Sequence, residues 1–251
     1  MVITDTKDFF KYIRSLRYIG SGVLGSVYYD YDMDKVIKVF HTFKKDLHSS
    51  YVPVIDKDVF EKLKTLKNGT YIFADDLIMY EERIAGYITD YVPGRLLYKM
   101  NPLNINFDNF INAVAMALVD IEKVSYSGVR SFDAGYNTIY DNKKISIIDH
   151  DDCCFPDSSK EDIYSQNFYQ FNNFIKLFLI DNYFDEYVSS DKVLLEMYNN
   201  NYCDLLSFLK AFRFSLSQYV GKNITTLNEG YPALNTKSHQ PKLVRQINSF
   251  L

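Results

Sequence analysis

Three glycines and one lysine near the start of the chain have the types and spacing of a phosphate-binding element. Gly20, Gly22 and Gly25 lie in one short segment, and Lys38 follows within an apolar run over residues 36–40. Glycine lets backbone N–H groups approach phosphate oxygens closely. Because β-prone residues follow Gly25, the pattern predicts a β-hairpin and not the strand-to-helix turn of a dinucleotide-binding fingerprint. The alternative is a glycine-rich hairpin beside an ordinary surface lysine, which the apolar neighbours of Lys38 disfavour.

A second group of polar side chains lies in the middle of the chain. Asp133 precedes a short predicted hairpin, Asn137 lies at the start of that hairpin, and Asp149 follows its apolar second strand. A carboxylate at the end of such a strand is suited to Mg²⁺, which prefers oxygen ligands. Asp151 and Asp152 could add a second carboxylate to a metal, or they could form a solvated acidic turn.

The glycine segment, Lys38 and the order Asp133, Asn137, Asp149 together resemble the protein kinase-like superfamily over about residues 17–185. The resemblance implies an α+β, bilobal protein kinase-like fold. Residues 1–92 would form an N-lobe with an antiparallel sheet and one main helix. Residues 93–251 would form a reduced, mostly helical C-lobe. The implied cofactors are ATP and Mg²⁺.

The resemblance also assigns roles to residues of the N-lobe. Those implied in nucleotide binding are Gly20, Gly22, Gly25, Val27, Lys38, Glu61, Thr89, Asp90 and Val92. Lys38 would contact the α- and β-phosphates, and Glu61 would hold Lys38 in place. The alternative is that Glu61 is a solvated charge near a helix start, where acids are favourable in any case. Thr89 would be the gatekeeper before the hinge, where the backbone of Asp90 and Val92 would bind adenine.

In the C-lobe the resemblance implies that Asp133 is the catalytic base and that Asn137 and Asp149 bind metal. The chain departs from the family at the triplets around these residues. Ser131 and Phe132 stand in place of His-Arg, and Asp149 is followed by His-Asp instead of Phe-Gly. No Ala-Pro-Glu motif and no long activation loop precede residues 160–165, which resemble the start of the central C-lobe helix. In the family an aspartate of that helix braces the catalytic loop.

The favoured hypothesis is an atypical kinase that transfers the γ-phosphoryl of ATP to a hydroxyl, with Ser or Thr of a protein as the acceptor. One alternative is a pseudokinase that binds nucleotide or acts as a scaffold without turnover, because the catalytic triplets are altered. Another is a small-molecule phosphotransferase of the aminoglycoside or choline kinase type, because the activation loop is missing. A fold does not by itself decide among these.

Hydrophobic periodicity and turn signals predict the elements that must position these residues. In the first part they predict a helix over 7–17, strands over 17–21, 25–31 and 34–40, a helix over 56–67, and strands over 71–81 and 84–92. In the second part they predict a helix over 107–123, a hairpin over 136–148, helices over 163–183 and 192–219, and an extended arm from residue 221.

Composition narrows the class of protein further. The chain has 251 residues, 47% of them hydrophobic, and a formal net charge of −4, which offers no general attraction to nucleic acid or an anionic membrane. Neither a secretory signal nor a membrane-spanning stretch is recognisable. Three cysteines are too few and too unevenly placed for a disulfide framework or a zinc site. The sequence therefore predicts a cytoplasmic protein without nucleic-acid or membrane partners.

Overall fold

The computed structural model describes residues 1–45 and 55–234 of the chain. The chain divides into two compact units. The first unit comprises Met1–Lys67, Tyr71–Val92 and Ile148–Phe155, and the second comprises Asn68–Thr70, Pro93–Ile147 and Pro156–Leu251.

The first unit is built on a six-stranded sheet with the order β1-β5-β6-β4-β3-β2. Its strands are β1 Val2–Ile3, β2 Arg17–Ser21, β3 Gly25–Asp30, β4 Lys35–Phe40, β5 Asp76–Tyr80 and β6 Arg83–Asp90. Its helices are α1 Thr6–Ser15, α2 His41–Lys45 and α3 Lys57–Lys64. The short strand β1 pairs with β5 in parallel, and the other neighbours are antiparallel.

Side-chain alternation along β4 divides its residues between two hydrophobic cores. Ile37 and Val39 pack in the core that α1 covers. Phe40 packs with Phe60 of α3 in the other core. Because successive side chains of a strand point to opposite faces, Lys38 lies on the same face as Phe40.

Two glycines allow neighbouring strands to approach the backbone of β4. A Cβ at Gly86 of β6 would lie 2.0 Å from the carbonyl oxygen of Lys38, and a Cβ at Gly25 of β3 would lie 2.7 Å from that of Val39. No side chain fits at either position without moving a strand. These glycines therefore fix the sheet directly around Lys38.

The start of α3 is defined by its N-cap. The Asp56 side chain accepts hydrogen bonds from the backbone N–H groups of Asp58 at 2.7 Å and Val59 at 3.3 Å. This is the capping interaction that satisfies the first N–H groups of a helix. Phe60 and Leu63 are the buried residues of α3, one helical turn apart.

The second unit combines a three-stranded antiparallel sheet, ordered β7-β8-β9, with helices. The strands are β7 Arg95–Leu96, β8 Thr138–Tyr140 and β9 Ile145–Ile147. The helices are α4 Phe107–Tyr126, α5 Lys160–Ile180, α6 Asp185–Ser190, α7 Lys192–Asn199 and α8 Leu205–Val220. Short 3₁₀ helices lie at Leu97–Lys99, Pro102–Asn104, Leu227–Glu229 and Tyr231–Leu234.

The segment after α8 is packed against the second unit. Ile224 and Leu227 are fully buried, and the Phe107 backbone N–H donates to the Thr225 carbonyl at 2.8 Å. The prediction of an extended arm is therefore wrong for residues 221–234, because the start of α4 anchors this segment. The rest of the predicted arm, residues 235–251, lies outside the described residues.

A lipid bilayer is crossed by helices that are both long and apolar. Within the part of the chain that the structure describes, no helix has both the length and the apolar character required to cross one.

Candidate functional site

The glycine segment forms a tight turn between β2 and β3. The Gly22 backbone N–H donates to the Gly25 carbonyl at 2.9 Å. The His41 ring, at the start of α2, brings Nε2 to 3.1 Å from the Gly22 carbonyl oxygen and 3.2 Å from Ser21 Oγ. A Cβ at Gly20 or Gly22 would meet no atom within 4 Å, so the space beside both glycines is open. These contacts hold the turn in place, while the backbone at Gly20 and Gly22 stays accessible.

Lys38 of β4 is a buried charged residue of the first unit. The residue is 3% exposed, and Val27 of β3 lies opposite it in the register. Lys38 Nζ donates hydrogen bonds to the carboxylates of Asp149 and Asp151. The Tyr87 hydroxyl of β6 donates to the same Asp149 carboxylate at 3.1 Å. The lysine, the tyrosine and two carboxylates form one buried polar cluster, called here the Lys38 cluster.

The backbone of residues 149–151 explains how both aspartates reach Lys38. Asp149 has a φ of 62°, a left-handed conformation that aspartate tolerates better than most residues. Between the aspartates, the His150 ring packs on Tyr71 and Phe73, with centroids 5.4 and 4.8 Å apart. His150 thereby anchors the segment in an aromatic pocket, while its two acidic neighbours turn to the lysine.

The electrostatics of the Lys38 cluster are unbalanced. Burial raises the pKa of the Asp151 carboxyl to about 7, and the nearby Asp149 carboxylate adds to this rise. Burial also opposes ionisation of Asp149, but attraction to the Lys38 ammonium and its hydrogen bond hold the pKa of Asp149 below the usual value. One ammonium cannot neutralise two carboxylates, so the cluster is short of positive charge.

This donor set is compatible with a magnesium ion that also binds phosphates. Mg²⁺ in such sites uses one or two carboxylates and completes its coordination with phosphate oxygens and water. Asp149 supplies a carboxylate on a partly exposed side chain, whereas the Asp151 carboxylate is buried against Lys38. The Oδ1 atom of Asp151 has no hydrogen-bond partner among the described residues. Over the same residues, no group of three or more His, Cys, Asp or Glu side chains is arranged to hold a metal by itself.

Glu61, predicted to hold Lys38, lies in a different environment. It is exposed on α3. Among the described residues, the carboxylates that form ion pairs with Lys38 belong to Asp149 and Asp151, and not to Glu61. The sequence signal for Asp151 is weak, since an acidic run after a strand is also typical of a solvated turn.

The predicted gatekeeper and hinge residues lie at the end of β6. Thr89 is buried, and its hydroxyl donates to the Phe73 carbonyl at 3.2 Å. Asp90 is the last residue of the strand, and its side chain bonds Lys35 Nζ at 2.5 Å. Val92 follows outside the sheet and is half-buried.

Asp133 and Asn137 lie in the second unit, in the turn before β8. Asp133 is exposed, Asn137 is half-buried, and the Asn137 backbone N–H donates to the Asp133 carbonyl at 3.3 Å. The Asp133 side chain is therefore accessible on a turn whose backbone is closed by its own hydrogen bond.

A buried asparagine of α5 holds the segment before Asp133. Asn167 accepts a hydrogen bond from the Ser131 N–H at 3.0 Å and donates to the Val129 carbonyl at 2.9 Å and to Ser125 Oγ at 2.8 Å. The family resemblance implies an aspartate in this role. The aspartate at the start of α5, Asp162, instead bonds Ser159 at the helix N-terminus. The brace is an amide, which can both accept and donate.

Comparisons with known proteins extend this description at the level of fold. No protein-family model and no curated protein matches the sequence. Among solved structures, the chain is similar to the crystal structure of the PknI kinase domain from Mycobacterium tuberculosis, with a TM-score of 0.51 and 12% identity. The similarity covers 78% of this chain and 92% of that chain. At this identity it establishes fold alone: the chain has a protein kinase-like fold, and the fold prediction is confirmed.

Proposed function

We propose that this chain is an ATP- and Mg²⁺-dependent phosphotransferase that moves the γ-phosphoryl of ATP to a hydroxyl, with Ser or Thr of a protein as acceptor. The observation that carries the proposal is the Lys38 cluster within a kinase-like fold. A lysine held among apolar strands by two aspartates is costly unless its charge is used. Phosphoryl transfer uses such a lysine to hold the phosphates.

The glycine turn and Lys38 would hold the triphosphate. The accessible backbone at Gly20 and Gly22 would approach the phosphate oxygens, and the Lys38 ammonium would balance their charge. Past the end of β6, the backbone of Asp90 and Val92 would bind the adenine edge, with Thr89 beside it.

The carboxylate of Asp149 and the side-chain oxygen of Asn137 would hold magnesium. Bound Mg²⁺ would supply positive charge to the β- and γ-phosphate oxygens, which lowers the cost of charge transfer to the leaving group. Asp133 would accept the proton of the acceptor hydroxyl and orient that oxygen. The roles of Asn137 and Asp133 rest on the sequence motif.

Transfer of label from [γ-³²P]ATP tests this proposal. The purified chain is incubated with labelled ATP and Mg²⁺, alone and with a cell lysate, and label in precipitated protein is counted apart from label in small molecules. We expect protein-bound label with the wild-type chain. Label only in small molecules would favour the small-molecule alternative.

Two substitutions assign the transfer to this site. Lys38→Met and Asp149→Asn should each lower transfer by roughly 10²-fold or more, because both act on charge that must be balanced in the transition state. Lys35→Met is the matched control, since Lys35 lies on the same strand and forms exposed ion pairs with Asp75 and Asp90. It should change transfer less than about threefold. Near wild-type transfer by either site variant would contradict the assignment.

The second candidate is a pseudokinase that binds nucleotide without turnover. One feature of the structure favours it. Lys38 Nζ donates to Asp149 and Asp151, both on the segment that would bind metal, so the lysine occupies the carboxylates that turnover would need for Mg²⁺. Nucleotide binding without transferable label would support this candidate over the first.

A further inference from the structure

We infer that Asp151 is the residue that positions Lys38 for the nucleotide phosphates, in the role that the family resemblance gives to Glu61. The inference rests on the proposed function and concerns how the same site works. It assigns a positioning residue to the third position of the triplet that begins at Asp149, where the kinase pattern has glycine.

Lys38 and Asp151 are both buried. The side chain of Asp151 is 5% exposed, and that of Lys38 is 4% exposed. The Asp149 side chain, by contrast, is 35% exposed. Water screens a contact between two buried groups little, so the Lys38–Asp151 contact is the less solvent-exposed of the two that hold the lysine.

The two aspartates would have different roles. Asp149 is the proposed magnesium ligand, and a carboxylate that binds the metal is less available to an ammonium. Asp151 then remains to hold the buried Lys38 charge. With Asp151 present, Lys38 and Mg²⁺ do not have to compete for Asp149.

Glu61 does not pair with Lys38 in the described part of the chain. It is exposed on α3, and no hydrogen bond or ion pair joins it to Lys38 within the described residues. The sheet also makes the position of Lys38 rigid, since Gly86 brings the backbone of β6 against the Lys38 carbonyl. The partner of Lys38 must therefore come to the lysine, as the 149–151 segment does.

The test measures how Mg²⁺ supports ATP binding in four proteins: wild type, Asp151→Asn, Lys38→Met and the double variant. ATP affinity is titrated at a series of Mg²⁺ concentrations, and the half-saturating Mg²⁺ concentration is compared. Asp151→Asn should raise this concentration by about tenfold, or about 1.4 kcal/mol, because Lys38 would then compete with the metal for Asp149. In the Lys38→Met background the same substitution should change it less than about twofold.

Glu61→Gln is the comparison that separates the two candidate partners. It is predicted to leave the half-saturating Mg²⁺ concentration within about twofold of wild type, since exposed charges interact weakly. A tenfold rise in Glu61→Gln would overturn the inference. An equal effect of Asp151→Asn with and without Lys38 would also overturn it, because Asp151 would then act as an independent metal ligand.

Thermal denaturation of the same variants without nucleotide gives a readout that does not depend on the proposed function. If Asp151 acts on Lys38, the double variant should lose less thermal stability than the sum of the single variants, by about 3 °C or more. Additive losses would overturn the pairing. If wild type binds no ATP at any Mg²⁺ concentration, the proposed function fails, while this cycle still decides whether the two residues are coupled.

Discussion

Two lysines of β4 show how side-chain direction decides what a charge can do. The Lys35 side chain is 32% exposed, and its Nζ donates to Asp75 at 2.7 Å and to Asp90 at 2.5 Å. Lys38 lies three positions later on the same strand, and it forms an ion pair with the buried Asp151. Exposed pairs of the first kind contribute about 0–1 kcal/mol, whereas breaking a buried pair costs about 3–5 kcal/mol. Only the second lysine is held in one place.

Asp133 carries the prediction that separates acid–base chemistry from nucleotide binding. Asp133→Asn should lower phosphoryl transfer by roughly 10²-fold while ATP affinity changes less than about twofold, because the side chain acts on the acceptor and not on the triphosphate. Steady-state kinetics and an ATP titration on the same preparation measure both quantities.

An exposed aspartate of the second unit, Asp157, provides the control for this change. Asp157→Asn should leave both the rate and the affinity near wild type. If Asp133→Asn is silent in transfer, Asp133 is not the base, even if the fold and the Lys38 cluster stand.

At the scale of elements, α5 supports the loop that carries Asp133. Asn167 lies inside the second unit and satisfies the backbone of Val129 and Ser131, which a hydrophobic residue could not do. Buried backbone groups left without a partner are costly. Through Asn167, α5 thereby holds the backbone of the loop up to Ser131, two residues before Asp133.

Replacing Asn167 should lower the stability of the fold. Asn167→Ala is expected to lower the free energy of unfolding by about 2–3 kcal/mol, because it leaves the Ser131 N–H and the Val129 carbonyl without partners. Urea denaturation measures the loss. Lys160→Ala, at the exposed start of the same helix, should change stability by less than about 0.5 kcal/mol. A loss of similar size in both variants would contradict the assignment of this stabilisation to the hydrogen bonds of Asn167.

The turn between β3 and β4 depends on a buried carboxylate. Asp30 accepts hydrogen bonds from the Asp32 N–H at 2.8 Å, the Met33 N–H at 3.1 Å and the Tyr12 hydroxyl of α1. Burial alone would raise the pKa of Asp30, but these hydrogen bonds hold it below the usual value. The charged form is therefore the one that stabilises the turn.

This environment predicts a pH-dependent stability. Because the folded-state pKa of Asp30 is lowered, its contribution is complete above the unfolded-state pKa of about 3.9 and is lost as pH falls through the folded-state value. Asp30→Asn should be less stable than wild type by about 1–2 kcal/mol at pH 7, with a smaller difference at pH 3. Urea denaturation at the two pH values checks this. A difference that is constant with pH would contradict the assignment to the carboxylate.

At the scale of the whole molecule, the sequence predicts helices and strands well where nearby turn residues or hydrophobic periodicity mark them. The strands around the glycine turn lie close to the predicted ranges, since turn residues mark both of their ends. The predicted helix over 107–123 is α4, which continues to Tyr126. The two-residue strands β1 and β7 were not predicted, because such short strands exist only through their pairing with distant segments.

Contacts between distant segments account for what the sequence could not predict in the site. That Asp151 reaches Lys38 depends on the left-handed backbone at Asp149 and on the aromatic pocket around His150. Neither follows from the spacing of the acids. Resemblance assigned the lysine's partner to Glu61 from its position on a helix, whereas the structure exposes Glu61 to solvent. Asn167 likewise has no sequence signal apart from its place in a helix.

We propose that the Lys38 cluster and the glycine turn bind a nucleotide together with Mg²⁺. Thermal denaturation with ATP, in the presence and absence of Mg²⁺, tests it most directly on wild type and Asp149→Asn. At ATP about 100 times its Kd, we predict that wild type gains roughly 5 °C or more with Mg²⁺. The gain should be much smaller without Mg²⁺ and in Asp149→Asn. The absence of stabilisation by any nucleotide, with or without Mg²⁺, would contradict both the phosphotransferase and the nucleotide-binding pseudokinase.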